Sequence, residues 1–368
     1  MSDLTDLLER HVGEGTAPGI VAALGDARGA LEVAAAGDLH TDAVVRIQSM
    51  TKPVLAVATL RLVEQGRLGL DDPADRWLPE LAERRVLRSP GAALDDTVEA
   101  DRPITVRHLL TCTSGYGMVL DDSPLRRAMA EAGVEAGPEP LTLGADAWLG
   151  ALAGLPLVAQ PGRTWRYHHS FALLGILLSR LVGRPLGEHL RDDLLRPLGM
   201  ADTGYAVPSA HAHRLSAAYR LQEDGRFVEL EPAGAGHFVA DDVSDRSHDE
   251  LVSTLADYAA FARMLAAGGV HEGERVVAPE LLRALRTDQV PAAAKDPAGF
   301  FPGFWDGSGW GFGVAVERGG AHPGRFGWSG GLGTDVWVDP ATGRYAVLLT
   351  QVEMGPPTFR LVEDLRAL

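Results

Sequence analysis

The sequence predicts an α/β (α+β) protein in which a sheet built from both ends of the chain brackets a mainly helical domain. Three observations carry this. Residues 18–37 (PGIVAALGDARGALEVAAAG) hold two apolar runs around Gly25-Asp26-Ala27-Arg28-Gly29, the pattern of a hairpin of buried strands. Segments 310–316, 334–338 and 345–351 alternate or run apolar in the same way near the other end. Between them, a stretch rich in Pro, Gly, Asp and Leu carries helical patterns separated by turns. Residues 1–71 and 250–368 are therefore assigned to the sheet domain and 72–249 to the helical one, with the active site expected in the cleft between.

Taken in order, the opening MSDLTDLLERHVGEG reads as a short amphipathic helix with Leu4, Leu7, Leu8 and Val12 on one face. The hairpin follows. From Ser49 to Gln65 the residues Val54, Leu55, Ala58 and Leu62 recur at helical spacing, and Gly66 supplies a stop. Pro53 fits only the opening turn of that helix, which sets its start near Ser49. Helical stretches are expected at 107–112, 145–153, 171–182 and 186–195, and a capped amphipathic helix at 253–265.

Charge and composition narrow the function. Fifty acidic residues against 34 basic ones give a net charge of −16, and no Lys/Arg block offers a footprint for nucleic acid. The N-terminal segment lacks the basic start and apolar run of a secretory signal, so a cytoplasmic protein is expected. No run reaches the roughly 18 apolar residues that span a bilayer, so no membrane partner is expected. Cys112, the single cysteine, sits in an apolar context and reads as a small buried residue. No cofactor is implied. His168 and His169 are adjacent, point apart and lack a supporting Cys/His cluster, so no metal is expected.

The basic residues are 32 Arg and only two Lys, at positions 52 and 295. A lysine retained in such a chain marks a place a guanidinium does not serve. Lys52 closes a Ser-x-x-Lys motif in Arg46-Ile47-Gln48-Ser49-Met50-Thr51-Lys52-Pro53, and an i, i+3 pair shares one helix face. Ser49 then lies at a helix start, where free N–H groups favour an oxyanion. In this reading Lys52 is desolvated, loses its proton and serves Ser49 as a neutral base.

RIQSMTKPVLAVATLRLVEQGRLGLDDPADRWLPEL resembles the nucleophile helix and following turn of the serine β-lactamase and penicillin-binding-protein-like superfamily, and most closely its esterase branch, the family VIII carboxylesterases. ITVRHLLTCTSGYG (104–117), PGRTWRYHHSFALLG (161–175), LVSTLADYAAFARMLAAGG (251–269) and GWGFGVAV (309–316) are similar to that group in the same order. The resemblance implies a β-lactamase/transpeptidase-like fold, an antiparallel sheet flanked by helices plus a mainly helical domain. It implies Ser49, Lys52 and Tyr167 as catalytic residues, with His169 standing where penicillin-recognising relatives carry Asn. Trp328 replaces the Lys of their Lys-Thr-Gly strand motif, and Ser329-Gly330-Gly331 follow it on what is expected to be an edge strand. The N–H groups of Ser49 and Gly331 are the expected oxyanion hole, and Trp328, Ser329, Gly330, His169 and Tyr116 the expected substrate contacts. A small-molecule ester is the implied substrate, because an apolar Trp328 offers no anchor for a substrate carboxylate. Acyl transfer, amide hydrolysis of the β-lactamase or D-aminopeptidase type, and a non-catalytic binding role stay open at this point. No G-x-S-x-G elbow surrounds any serine, which disfavours an α/β-hydrolase.

Overall fold

In the computed structural model, which describes residues 2–137, 140–242, 244–297 and 299–368, Gly19–Asp26 forms β1 and Leu31–Gly37 forms β2. The far end of the chain adds Ser308–Trp310 (β3), Ala315–Glu317 (β4), Phe326–Gly330 (β5), Thr334–Asp339 (β6) and Arg344–Leu349 (β7). They make one seven-stranded sheet in the order β3-β4-β5-β6-β7-β1-β2. Every neighbouring pair is antiparallel. Val21 lies opposite both Leu349 and Ala35, so β1 joins the two ends of the chain.

The two-residue period of β1 decides what packs where. Ile20 and Ala22 face the N-terminal helix α1 (Asp3–Gly13) and the C-terminal helix α5 (Pro356–Arg366), where Leu4, Leu8, Leu361 and Leu365 are buried with them. Val21 and Ala23 face the opposite layer, where α4 (Leu255–Ala266) lies beside β1 and β7 and buries Tyr258 and Phe261. Each of these leucines is at most 1% exposed, so truncation to Ala is expected to cost about 2–5 kcal/mol.

Helix α2 (Thr51–Glu64) runs through the interior and is buried without a break from Thr51 to Leu60. Pro53 sits in its first turn, where no backbone donor is needed, and Gly66 ends it at φ +67°. Beside it runs α3 (His169–Val182), which lies so close to the Ser247 backbone that a Cβ on Gly175 would lie 1.7 Å from the Ser247 carbonyl oxygen. Helices at Val106–Leu110 and Ala145–Ala153 fall where the periodicity expects them.

Several expectations are corrected. β2 is an edge strand with Leu31 and Val33 exposed, so only its Ala34 and Ala36 are buried and the hairpin is half-buried. Residues 310–316 are not one strand: they run from the end of β3 through a turn into β4, with Trp310 paired to Ala315 and Gly313 at φ +73°. Phe312 and Val314 in the turn are buried with Trp310 and Val316, so the segment reads as one continuous apolar run. The 186–195 helix is a single α-helical stretch, Leu186–Leu190, followed by a wider π turn over Arg191–Leu195. The middle of the chain also holds two small hairpins, Arg85–Leu87 with Thr97–Glu99 and Ala218–Leu221 with Phe227–Glu231. Among the described residues no single helix is long and apolar enough to cross a membrane.

Candidate active site

Ser49 sits in a 3-10 turn, Gln48–Met50, that leads directly into α2. The turn is held from three sides. The Ile47 N–H donates to Leu251 O (3.0 Å), the Leu251 N–H to Thr51 Oγ1 (2.8 Å), and the Tyr258 hydroxyl to Met50 O (2.6 Å). Gln48 is forced to φ +50°, a left-handed conformation that costs energy in a non-glycine residue. The same conformation recurs at Cys112 (φ +53°) and His168 (φ +96°), both of which interact with Lys52. Strain of this kind persists only where neighbouring structure imposes it.

One helical turn on, the Lys52 ammonium donates to Ser49 Oγ at 2.7 Å, with Lys52 only 3% exposed. Its Nζ also lies 4.8 Å from the centre of the Tyr167 ring. Tyr167 is carried by the loop before α3, which is tied down by the Met118 N–H donating to Tyr167 O and the Arg166 N–H donating to Cys112 O, both at 2.7 Å. The Trp328 indole N–H donates to the Tyr167 hydroxyl at 2.7 Å. Trp165, Phe300, Trp310 and Trp328 pack around the Tyr167 ring.

Glu250 completes the cluster, and no sequence motif pointed to it. Ser49 Oγ donates to Glu250 Oε1 at 3.2 Å, and Lys52 Nζ to the same oxygen at 3.4 Å. Its chain neighbours explain the placement: Val252–Ser253 pairs with Val45–Arg46, just ahead of the Ser49 turn. The one available signal was the acidic pair Asp249-Glu250 immediately before that short strand.

The electrostatics around Lys52 run against the expectation of a neutral amine. Burial alone would favour loss of its proton, but the pull of the facing Tyr167 and Glu250 oxygens opposes burial and moves the Lys52 pKa above the ordinary lysine value. Burial pushes the Tyr167 phenol up against the pull of Lys52, so at neutral pH it is an uncharged donor. Burial likewise pushes the Glu250 carboxyl up, opposed by Lys52 and assisted by Asp249. Cys112 is buried and its thiol is pushed up to about 12, which suits packing and not nucleophilic attack.

Other expected contacts divide. Gly330 sits against the Ser49 turn: a Cβ there would lie 2.3 Å from Ile47 O. The Gly331 N–H donates to no protein acceptor among the described residues, as an oxyanion donor requires. Ser329 Oγ is instead engaged with Asp335 at 2.6 Å. The expected edge strand is one only in part, because β4 pairs with Phe326 and Gly327 and leaves Trp328–Gly330 unpaired on that side. Trp328 is 8% exposed and serves Tyr167 more than open space.

None of the expected substrate contacts Trp328, Ser329, Gly330, His169 and Tyr116 is among the residues that line the neighbouring cavity. His169 is buried, bonded to Val134 O at 2.7 Å and stacked on Trp148. Tyr116 is buried in the core with its hydroxyl near Leu155 O. Helix α3 begins at His169 and turns it inward, so it is His168 that faces the cavity beside the nucleophile. That cavity is walled by Lys52, His168 and Glu250 together with Leu141, Phe171 and Phe238.

The beta-lactamase family model matches residues 4–368 of this chain. Among curated relatives, an uncharacterized protein of Mycobacterium tuberculosis is 36% identical over 324 residues, spanning 85% of this chain and 78% of its own. Esterase EstB of Burkholderia gladioli is 31% identical over 365 residues, spanning 91% of this chain and 85% of its own. An acyltransferase of Monascus pilosus matches over a shorter range, 51% of this chain and 45% of its own, at 31% identity. Among solved structures, EstCE1, described as a hydrolase with promiscuous acyltransferase activity, superposes with a TM-score of 0.79 at 24% identity, covering 98% of this chain and 96% of its own.

Proposed function

Because the chain belongs to the beta-lactamase family, we propose that it is a serine carboxylesterase that hydrolyses an uncharged small-molecule ester through an acyl-enzyme on Ser49. The observation that carries this is the 2.7 Å contact of Lys52 Nζ with Ser49 Oγ beside a Tyr167 hydroxyl held by Trp328. In the proposed reaction Ser49 Oγ attacks the ester carbonyl carbon and releases its proton into the polar cluster. The carbonyl oxygen takes up the charge, facing the N–H groups of Ser49 and Gly331. The C–O bond to the alcohol then breaks, and the departing oxygen regains a proton. Water attacks the acyl-enzyme in the mirror sequence and frees the acid and Ser49.

Esters rank above β-lactams because position 328 carries an indole, whose one donor is spent on Tyr167, and no cation for a substrate carboxylate. The similarity to EstB over most of both chains supports the same choice. A second reading, acyl transfer to an alcohol or amine, uses the same acyl-enzyme and is favoured by the acyltransferase relative.

The test is a panel of p-nitrophenyl esters beside a chromogenic cephalosporin, with and without an added alcohol acceptor, and mass spectrometry for an adduct. Turnover of short esters with an acyl mass on Ser49, both absent in Ser49→Ala, is the expected result. Full activity in Ser49→Ala would end this reading. Transfer to the alcohol outpacing hydrolysis would select the acyltransferase.

A further inference from the structure

We propose that Glu250 is the group that accepts the proton of Ser49 when the nucleophile attacks, with Lys52 acting as a fixed cation beside the forming bond. This rests on the esterase reading above and names the base that it leaves open. Lys52 Nζ donates to Ser49 Oγ at 2.7 Å, so that oxygen's own proton goes to another partner: Glu250 Oε1 lies 3.2 Å away and can only accept, whereas the Tyr167 hydroxyl, also hydrogen-bonded to Ser49, carries a proton of its own. An ammonium that already donates to the serine oxygen is a poor acceptor for its proton. A carboxylate has no proton to give and two oxygens to receive one.

The protonation states of the neighbours support the assignment. The facing Tyr167 and Glu250 oxygens favour the ammonium form of Lys52, and burial pushes the Tyr167 phenol up, so neither is a ready acceptor at neutral pH. Glu250 remains. Burial and the adjacent Asp249 push its pKa above the ordinary glutamate value, which brings its basicity closer to that of a working general base. Four further groups bear on the same site. Asp249, which accepts from the Glu250 N–H and is bound to His237 Nε2, adds negative charge beside Glu250. His168, facing the cavity, is kept neutral by burial and by Lys52. His248, on the same cavity wall, is also kept neutral by burial, and Tyr167 adds negative charge only if it ionises.

The step balances without any further reagent. The proton moves from Ser49 Oγ to Glu250 Oε1 as the Oγ–carbon bond forms and the carbonyl π pair moves to oxygen. When that pair returns, the bond to the alkoxide breaks and the proton held by Glu250 leaves with the alcohol. Glu250 is then a carboxylate again, ready to take a proton from the water that attacks the acyl-enzyme.

The experiment measures kcat/KM on one p-nitrophenyl ester from pH 4 to 10 for the wild type, Glu250→Gln, Glu250→Asp and Ser49→Ala. The wild type should show an ascending limb above the ordinary glutamate range whose midpoint hardly moves with temperature, as for carboxylic acids and unlike ammonium groups. Glu250→Gln should lose about 10²–10⁴-fold and lose that limb, while Glu250→Asp keeps a limb at a reduced rate. Circular dichroism and the wild-type temperature series keep the test decisive if Glu250→Gln folds poorly. A Glu250→Gln variant within a few-fold of wild type, a reduced rate with the limb intact, or a strongly temperature-dependent limb would each overturn the role of Glu250. Those outcomes presuppose a wild type whose turnover needs Ser49. A wild type with no Ser49-dependent turnover would instead overturn the esterase reading.

Discussion

The indole N–H of Trp328 donates to the hydroxyl of Tyr167 at 2.7 Å, so a residue on the sheet and one on the loop before α3 meet beside Ser49. The bond steadies the phenol and lowers its pKa against the upward push of burial. Trp328→Phe keeps the ring stacking but removes the donor. The expected result is a roughly tenfold loss in kcat/KM, about 1.4 kcal/mol, with little change in Tm. A variant indistinguishable from wild type would show that the bond does not help Tyr167 work.

The second prediction concerns Lys52→Arg. Charge is conserved, and Arg is this chain's preferred cation. Lys52, however, is packed between Ser49, Glu250 and the faces of Tyr167 and Phe171, with 3% exposure. A planar guanidinium is wider than an ammonium and has no room beside the Tyr167 ring. At least a 10²-fold loss in kcat/KM is expected, together with a lower Tm, measured by ester kinetics and thermal unfolding. Substantial activity would mean that any positive charge near Ser49 suffices.

The sequence made Ser49 and Lys52 legible because the motif, Pro53 and Gly66 are local signals that fix a helix and its face. Strands β1, β6 and β7 were legible for the same reason, since burial on one or both faces writes itself into a short window. Glu250 was not, because its 201-residue separation from Ser49 is closed only by the pairing of Val252–Ser253 with Val45–Arg46. The choice of His169 over His168 failed on a single residue of helix register. Tyr116 failed because an aromatic beside a motif is as readily core as pocket, and only burial separates the two.

A third prediction follows from His108, whose pKa burial lowers to about 4 from an ordinary 6.5. On acidification the unfolded chain takes up this proton first, so stability should fall as pH drops from about 6.5 to about 4 and change no further from this group below that. His108 also closes a capping box, its Nδ1 accepting from the Thr105 N–H while Thr105 Oγ1 accepts from the His108 N–H. Gln is a natural residue at that position of the box. His108→Gln should therefore keep Tm at pH 7 and flatten part of its decline toward pH 4, with His168, His169, His189 and His248, whose pKa values burial also lowers, contributing to the rest. An unchanged slope would exclude His108 from the acid response.

The last prediction is that Gly330→Ala impairs catalysis more than folding. The strand β5 and the Ser49 turn touch at this glycine: an added Cβ would lie 2.3 Å from Ile47 O and from Thr334 Oγ1, and 3.1 Å from Gln48 Cβ. Two of those neighbours belong to the residues just ahead of the nucleophile, and the Thr334 hydroxyl itself donates to Ile47 O at 3.2 Å. The clash can be relieved only by moving the strand away from the turn or by breaking that bond. Either motion separates the Ser49 and Gly331 N–H groups, and an oxyanion hole tolerates little of this, because misplacing one donor costs about 10²–10³-fold in kcat. The strand remains anchored to β6 through the register from Phe326 to Gly330, so the fold should survive at reduced Tm. Gly150→Ala is the matching control, since that glycine lies within a helix with nothing within 4 Å of a new Cβ and should gain a few tenths of a kcal/mol to about 1 kcal/mol. The measurement is kcat, KM and Tm for both variants on one ester. A Gly330→Ala enzyme with wild-type kcat would show that the approach of β5 to the Ser49 turn is packing alone.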